Sequence, residues 1–168
     1  MKTLHTARMV LRPYSEEDEG TIRALLSDEA VTRLLFAGGP IAGDAYDRFI
    51  TDEFTMYADQ PYGMGVIELI EAKTVIGTGG LAPCPIEPEY LELGFILAPG
   101  HWGRGYGTEI GAAQRNFALR TLDHDRVYGL AHPENAASIA TLRKLGMRRV
   151  GSEMLARGPR DVFVAEGY

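Results

Sequence analysis

The chain has 168 residues, 45% of them hydrophobic and 24% charged, with a net charge of −6 and a single cysteine. A chain of this length has room for one domain, which buries roughly 70% of its unfolded surface. One cysteine excludes an internal disulfide framework and a four-cysteine zinc site, and the acidic balance argues against a nucleic-acid binder, which needs a phosphate-neutralising basic face.

Met1-Lys2-Thr3-Leu4-His5-Thr6 leads straight into a strand-like run without the apolar core of a signal peptide. No window approaches the roughly 18 apolar residues of a membrane span. These features predict a cytoplasmic protein that does not engage membranes, and the lone cysteine suits a reducing compartment. A net negative charge also favours a cationic partner such as an amine.

Arg8–Arg12 reads as a first strand that Pro13 ends, and Ser15-Glu16-Glu17-Asp18 as a helix start, with Ser15 as N-cap and acids in the first turn. Ile22, Leu25 and Leu26 then give an apolar face at helical spacing. A short second helix is expected over Glu29–Leu35, before the loop Ala37-Gly38-Gly39-Pro40. Asp44 is placed to cap a third helix carrying Tyr46, Phe49, Ile50, Phe54 and Tyr57. Met64–Ile70, Thr74–Leu81 and Tyr90–Leu97 are apolar, β-branched-rich runs between turn signals, and read as consecutive antiparallel strands. A helical face of Ile110, Ala113, Phe117 and Ala118 follows a glycine cluster. Val127–Ala131 is a short strand, Asn135–Leu145 a helix ended by Gly146, and Met147–Leu155 and Arg160–Ala165 are two final strands around the turn Arg157-Gly158-Pro159. The order describes an α/β (α+β) fold, a mixed sheet with helices on its faces. With no repeat, low-complexity tract or linker, residues 1–168 are expected to form a single domain.

The stretch from Gly94 to Glu109 carries the chemistry. A strand feeds a loop with glycines at alternate positions, Gly103, Gly105 and Gly107, and the loop feeds a helix. Glycines let the backbone turn tightly and approach a ligand closely, and the unpaired N–H groups of a helix's first turn form an anion site. A Walker A loop needs Gly-Lys-Ser/Thr, which is absent. The dinucleotide fingerprint needs a glycine three places after its second one, where this chain has Thr108 or Ile110. A tight glycine turn with no ligand satisfies the same composition on steric grounds.

Four blocks in order resemble the GNAT N-acetyltransferases, and within them the branch typified by the ribosomal-protein alanine N-acetyltransferases. Thr6–Tyr14 is similar to that branch's opening strand, Leu91–Leu97 to its fourth strand, Trp102–Glu109 to its acetyl-CoA loop, and Asn135–Ser138 with Leu142–Met147 to its second cofactor motif. The resemblance implies a mixed, mostly antiparallel seven-stranded sheet with helices on both faces, splayed between the fourth and fifth strands so that pantetheine lies in the gap. Acetyl-CoA is then the cosubstrate, with no metal. Trp102, Gly103, Arg104, Gly105, Tyr106, Gly107 and Thr108 form the pyrophosphate loop. The backbone of Ile96 and Leu97 pairs with the pantetheine amides, and Asn135 bonds the pantetheine arm. A fourth-strand N–H polarises the thioester carbonyl.

The implied reaction is direct attack of a primary amine, a protein N-terminus or a small molecule, on the thioester in a ternary complex. It needs a neutral amine; an α-amino group titrates near about 8 and a lysine near about 10.4. Glu92, two residues before Gly94, is the general-base candidate, set against an ordinary exposed strand glutamate. Many family members place a proton-donating tyrosine where this chain has Leu142, so Ser138 is the alternative donor to the leaving thiolate or a cofactor ligand, set against a residue at a helix start. A catalytically silent acetyl-CoA-binding regulatory domain is the competing function. Family members often dimerise, which makes a homodimer an expected assembly whose surface the sequence does not name. Cys84, His101 and His132 lack partners at catalytic or metal-ligand spacing, and Tyr46, Phe49, Phe54 and Tyr57 read mostly as helix core with one or two lining an acceptor pocket.

Overall fold

The computed structural model describes residues 1–36, 39–57 and 59–167. Its sheet has eight strands: β1 (Leu4–His5), β2 (Met9–Arg12), β3 (Met64–Leu69), β4 (Thr74–Pro83), β5 (Leu91–Leu97), β6 (Arg126–Ala131), β7 (Arg148–Leu155) and β8 (Gly158–Glu166). They lie in the order β1-β2-β3-β4-β5-β6-β8-β7, and every neighbouring pair is antiparallel except β5 and β6. The seven expected strands are present. The eighth, β1, is a two-residue strand paired with β2 through Leu4–Leu11 and His5–Val10, too short to show a period.

The helices are α1 (Glu19–Ser27), α2 (Glu29–Thr32), α3 (Asp44–Ile50), α4 (Tyr106–Asn116) and α5 (Ala136–Lys144). Alternation along the strands sends side chains to two cores. On one face Leu142 of α5, Leu145 at its end and Phe117 just after α4 pack against Leu91, Leu93, Val127 and Phe163. On the other, Ile22, Leu26, Tyr46 and Phe49 of α1 and α3 pack on Val66, with Val75 and Ile96 at the margin. No helix among the described residues is long and apolar enough to cross a membrane.

Several local readings change. A 3-10 turn at Glu16–Asp18 precedes α1, and the Ser15 amide donates to the Asp18 carboxylate at 2.9 Å. Asp44 is the first residue of α3, and Gly43, at φ 54°, makes the bend before it. α2 stops at Thr32 instead of running to Leu35. In the expected loop, Ala37 and Gly38 lie outside the described residues. α3 and α4 each run on into a π-helical turn, Thr51–Thr55 and Phe117–Thr121. Gly146, at φ 75°, closes α5, with the Met147 amide donating back to the Leu142 carbonyl at 3.1 Å.

Candidate active site

The glycine loop leaves β5 through a 3-10 turn at Pro99–His101 and enters α4 at Gly105. Gly103 (φ 71°) and Gly105 (φ 78°) are both left-handed, a conformation that strains other residues. Gly107 serves packing instead: a Cβ there would lie 2.9 Å from the Phe95 ring, so its absence lets α4 rest on β5. None of the amides from Gly103 through Thr108 donates to a protein group among the described residues. Together with the positive end of the α4 dipole they form a concave donor set for an anion. Trp102 is half exposed, and its ring nitrogen donates to the Leu97 carbonyl at 2.7 Å, tying the loop to the end of β5.

Beside this loop the sheet opens. β5 and β6 pair only at Leu91–Val127 and Glu92–Tyr128, so beyond Glu92 the facing edge of β5 is unpaired. The Ala98 amide donates to Ile76 on the β4 side at 2.8 Å. Strict alternation along the β4–β5 ladder therefore turns the backbone groups of Ile96 and Gly94 to β4, and those of Phe95 and Leu97 to the gap. The Ile96 backbone thus faces β4, and Phe95 is the residue beside Leu97 whose backbone faces the gap. Across the gap, Asn135 caps α5, its side-chain oxygen accepting the Ser138 amide at 3.0 Å. Its side-chain nitrogen and the Ser138 hydroxyl have no partner among the described residues. Leu142, by contrast, is core: a Cβ at Gly129 would lie 2.6 Å from it, so the usual tyrosine position supplies no proton donor here.

Glu92 points to the sheet face opposite α4. A Cβ built on Gly94, two residues along the same face, meets nothing within 4 Å, so open space lies over the strand beside Glu92. Glu92 keeps a small accessible surface but lies deep among protein atoms. Burial, and secondarily the Glu53 carboxylate, raise its carboxyl from the ordinary 4.5 to about 7, against the pull of Arg157 and Arg160. Glu53, on the π-helical turn after α3, accepts from Arg157 at 2.8 Å, and the Arg157 guanidinium rests over Phe36 and Phe49 at 5.5 and 5.7 Å. Arg160 is 8% exposed and donates to the carbonyls of Pro159 and Leu35 at 2.8 and 3.0 Å. Burial lowers its affinity for the proton, while Glu92 favours its charged form.

Next to Glu53 a cavity is lined by Pro13, Tyr14, Phe54, Thr55, Tyr57 and Met64, with the Tyr14 and Phe54 rings stacked at 4.8 Å. Tyr46 and Phe49 are buried core, while Phe54 and Tyr57 line the cavity. Cys84 is fully buried, and burial raises its thiol. His132 turns its Nδ1 to the Glu134 amide at 3.2 Å. Glu53, Arg157 and Arg160 were not singled out from the sequence. They meet because the β7–β8 hairpin tip reaches the π-helical turn, a contact across 104 residues.

Residues 8–148 match the family model described as Acetyltransferase (GNAT) domain. The chain belongs to the GNAT acetyltransferase family. As a GNAT protein it is an acyltransferase, consistent with an anion loop at the mouth of a split sheet. It is 28% identical over 152 residues to a Bacillus licheniformis protein named uncharacterized N-acetyltransferase p20, covering 90% of this chain and 85% of that one. An acetyltransferase from Agrobacterium tumefaciens superposes with a TM-score of 0.82 at 26% identity, over 99% of this chain and 95% of that one. RimJ of Mycobacterium smegmatis, solved in complex with CoA-disulfide, shares the GNAT fold at a TM-score of 0.80 and 16% identity, over 98% and 87% of the two chains.

Proposed function

We propose that this enzyme transfers the acetyl group of acetyl-CoA to a primary amine by direct attack in a ternary complex. The observation that carries the reading is the position of Glu92: its carboxyl, raised to about 7 by burial, belongs to the same sheet face as the open space over Gly94, two residues along, at the point where the β5–β6 ladder ends. The amides of Gly103–Thr108 hold the donor's pyrophosphate, a role supported by their lack of protein partners. Phe95, Leu97 and the Asn135 side-chain nitrogen hold the pantetheine arm along the gap. A protein with this fold was solved in complex with CoA-disulfide, which supports a CoA thioester as the donor.

Glu92, directly or through water, takes a proton from the acceptor ammonium and releases the neutral amine. The amine nitrogen attacks the thioester carbon, a β5 amide stabilises the developing oxyanion, and the carbon–sulfur bond breaks. The Ser138 hydroxyl relays to the departing sulfur the proton that the nitrogen sheds as the intermediate collapses, giving one proton while it accepts the other. A carboxylate near 7 is matched to an α-amino group or a small amine near neutral pH, because it is ionised where the amine still needs help. The acceptor side comprises Glu53, Arg157, Tyr14, Phe54 and Tyr57. We place its action in a reducing compartment such as the cytoplasm, where the free Cys84 stays a thiol.

Thiol release from acetyl-CoA, measured against N-terminal peptides, amino acids, polyamines and aminoglycosides, tests the reading. Turnover with at least one amine, and loss of an acid limb near pH 7 in Glu92→Gln, are expected. Turnover by Glu92→Gln with an unaltered pH profile would remove Glu92 from the mechanism.

A further inference from the structure

Arg8, immediately before β2, reaches across the molecule to the start of α4. Its backbone amide donates to Glu109 Oε1 at 2.9 Å and its Nε to Glu109 Oε2 at 2.7 Å. Its Nη1 donates to the Arg104 carbonyl at 3.0 Å, and its guanidinium plane lies over the Tyr106 ring at 4.3 Å. Its Nη2 would be 3.5 Å from a Cβ on Gly105. One side chain thus touches or flanks residues 104, 105, 106 and 109, which make the sharp turn of the anion loop and the first turn of the helix behind it.

We propose that Arg8 is a positioning residue for the donor loop, fixing the Gly105 amide toward the pyrophosphate and neutralising Glu109 beside it. The first effect follows from peptide planarity. The Arg104 carbonyl and the Gly105 N–H belong to one trans peptide and point in opposite directions. Holding that carbonyl against Arg8 therefore aims the Gly105 amide at the other side of the loop. Gly105 at φ 78° has wide conformational freedom, so without the clamp the peptide is free to rotate and the site must be ordered when ligand binds. The second effect is electrostatic. Glu109 sits in the first turn of α4, where a carboxylate suits the helix dipole but opposes a phosphate. Arg8 cancels that charge through its Nε while its Nη1 holds the Arg104 carbonyl, two side-chain contacts at separate nitrogens that the single ammonium of a lysine does not reproduce.

The inference rests on reading Gly103–Thr108 as the pyrophosphate loop, and the test separates the two. Acetyl-CoA affinity is measured by calorimetry, and kcat and KM by thiol release, for wild type, Arg8→Gln, Arg8→Lys, Glu109→Gln and the Arg8→Gln/Glu109→Gln double variant. Thermal melts check that each is folded. Arg8→Gln is expected to raise Kd and KM for acetyl-CoA about tenfold, equivalent to about 1.4 kcal/mol, with kcat within about twofold. Arg8→Lys should recover only part of that loss. The loss should vanish with S-acetylpantetheine, which has no pyrophosphate. The double variant should bind no worse than Arg8→Gln alone, since both substitutions open one clamp. An equal loss with S-acetylpantetheine would reduce Arg8 to general scaffold, and additive losses would make it a direct phosphate ligand; either overturns the proposal. So does wild-type affinity in a folded Arg8→Gln. A wild type that binds no acetyl-CoA would overturn the loop assignment itself.

Discussion

Replacing Glu92 by glutamine removes a charge that the folded protein holds at a cost. The carboxyl ionises at about 7 in the native state and at 4.5 in an ordinary setting. At about 1.4 kcal/mol per pKa unit, that difference is worth about 3 kcal/mol. The value already includes the attraction of Arg157 and Arg160, so it represents the net penalty of burial and of Glu53. Between the two values the native state binds more protons than the unfolded chain, so stability falls as pH rises from about 4.5 to about 7 and stays low above that. Glutamine has the same shape and no proton to lose. Glu92→Gln should therefore match wild type below about pH 4.5 and be more stable above about pH 8, by up to about 3 kcal/mol. For a chain of this length that is a rise of roughly 6–12 °C in Tm. Urea denaturation of both proteins without ligand, at the two ends of this range, reads the effect. A stability difference that does not change with pH would refute the argument, whatever its size.

Two other outcomes follow from the same region. Glu53→Gln should move the acid limb of kcat/KM down by roughly 0.5–1 pH unit, and Arg157→Ala should move it up by a similar amount, because one removes a like charge from Glu92 and the other an opposite charge; limbs that coincide with wild type would disconnect both residues from Glu92. Gly94→Val should leave stability within about 1 kcal/mol, since its Cβ meets no atom within 4 Å, yet raise the acceptor KM roughly tenfold with acetyl-CoA affinity intact; an unchanged acceptor KM would move the amine away from this strand.

The strands β2 to β8 were legible because long apolar, β-branched runs between turns have few other uses. The glycine loop was legible because its residues are contiguous. What stayed hidden has physical reasons. The π-helical turns after α3 and α4 keep approximate helical spacing, so no pattern of apolar residues separates them from α-helix. α2 ends early because Leu34–Phe36 turn into the protein, where the Leu35 carbonyl receives Arg160, a partner 125 residues away. The role given to Ile96 depended on which edge of β5 its backbone faces. That parity is fixed by the β4 register and not by residue type. Glu92 drew notice from its distance to Gly94, but its environment is made by Glu53, Arg157 and Arg160, whose meeting depends on the tertiary fold.

On this reading β5 serves the two substrates with different parts of itself. The donor is gripped along the gap by peptide groups of Phe95 and Leu97, and in the loop by amides that every residue except proline carries. The acceptor instead meets side chains: Glu92, the vacancy at Gly94, and the ring and charge cluster beyond. Random substitution therefore acts unequally on the two halves of the reaction. Outside the glycines, introduced prolines and the few side chains that hold the donor or its loop, such as Asn135 and Arg8, changes leave the grip on acetyl-CoA largely untouched, whereas changes on the other face alter the preference for amines. A scaffold divided in this way can drift from one acceptor to another while never passing through a form that has lost its donor.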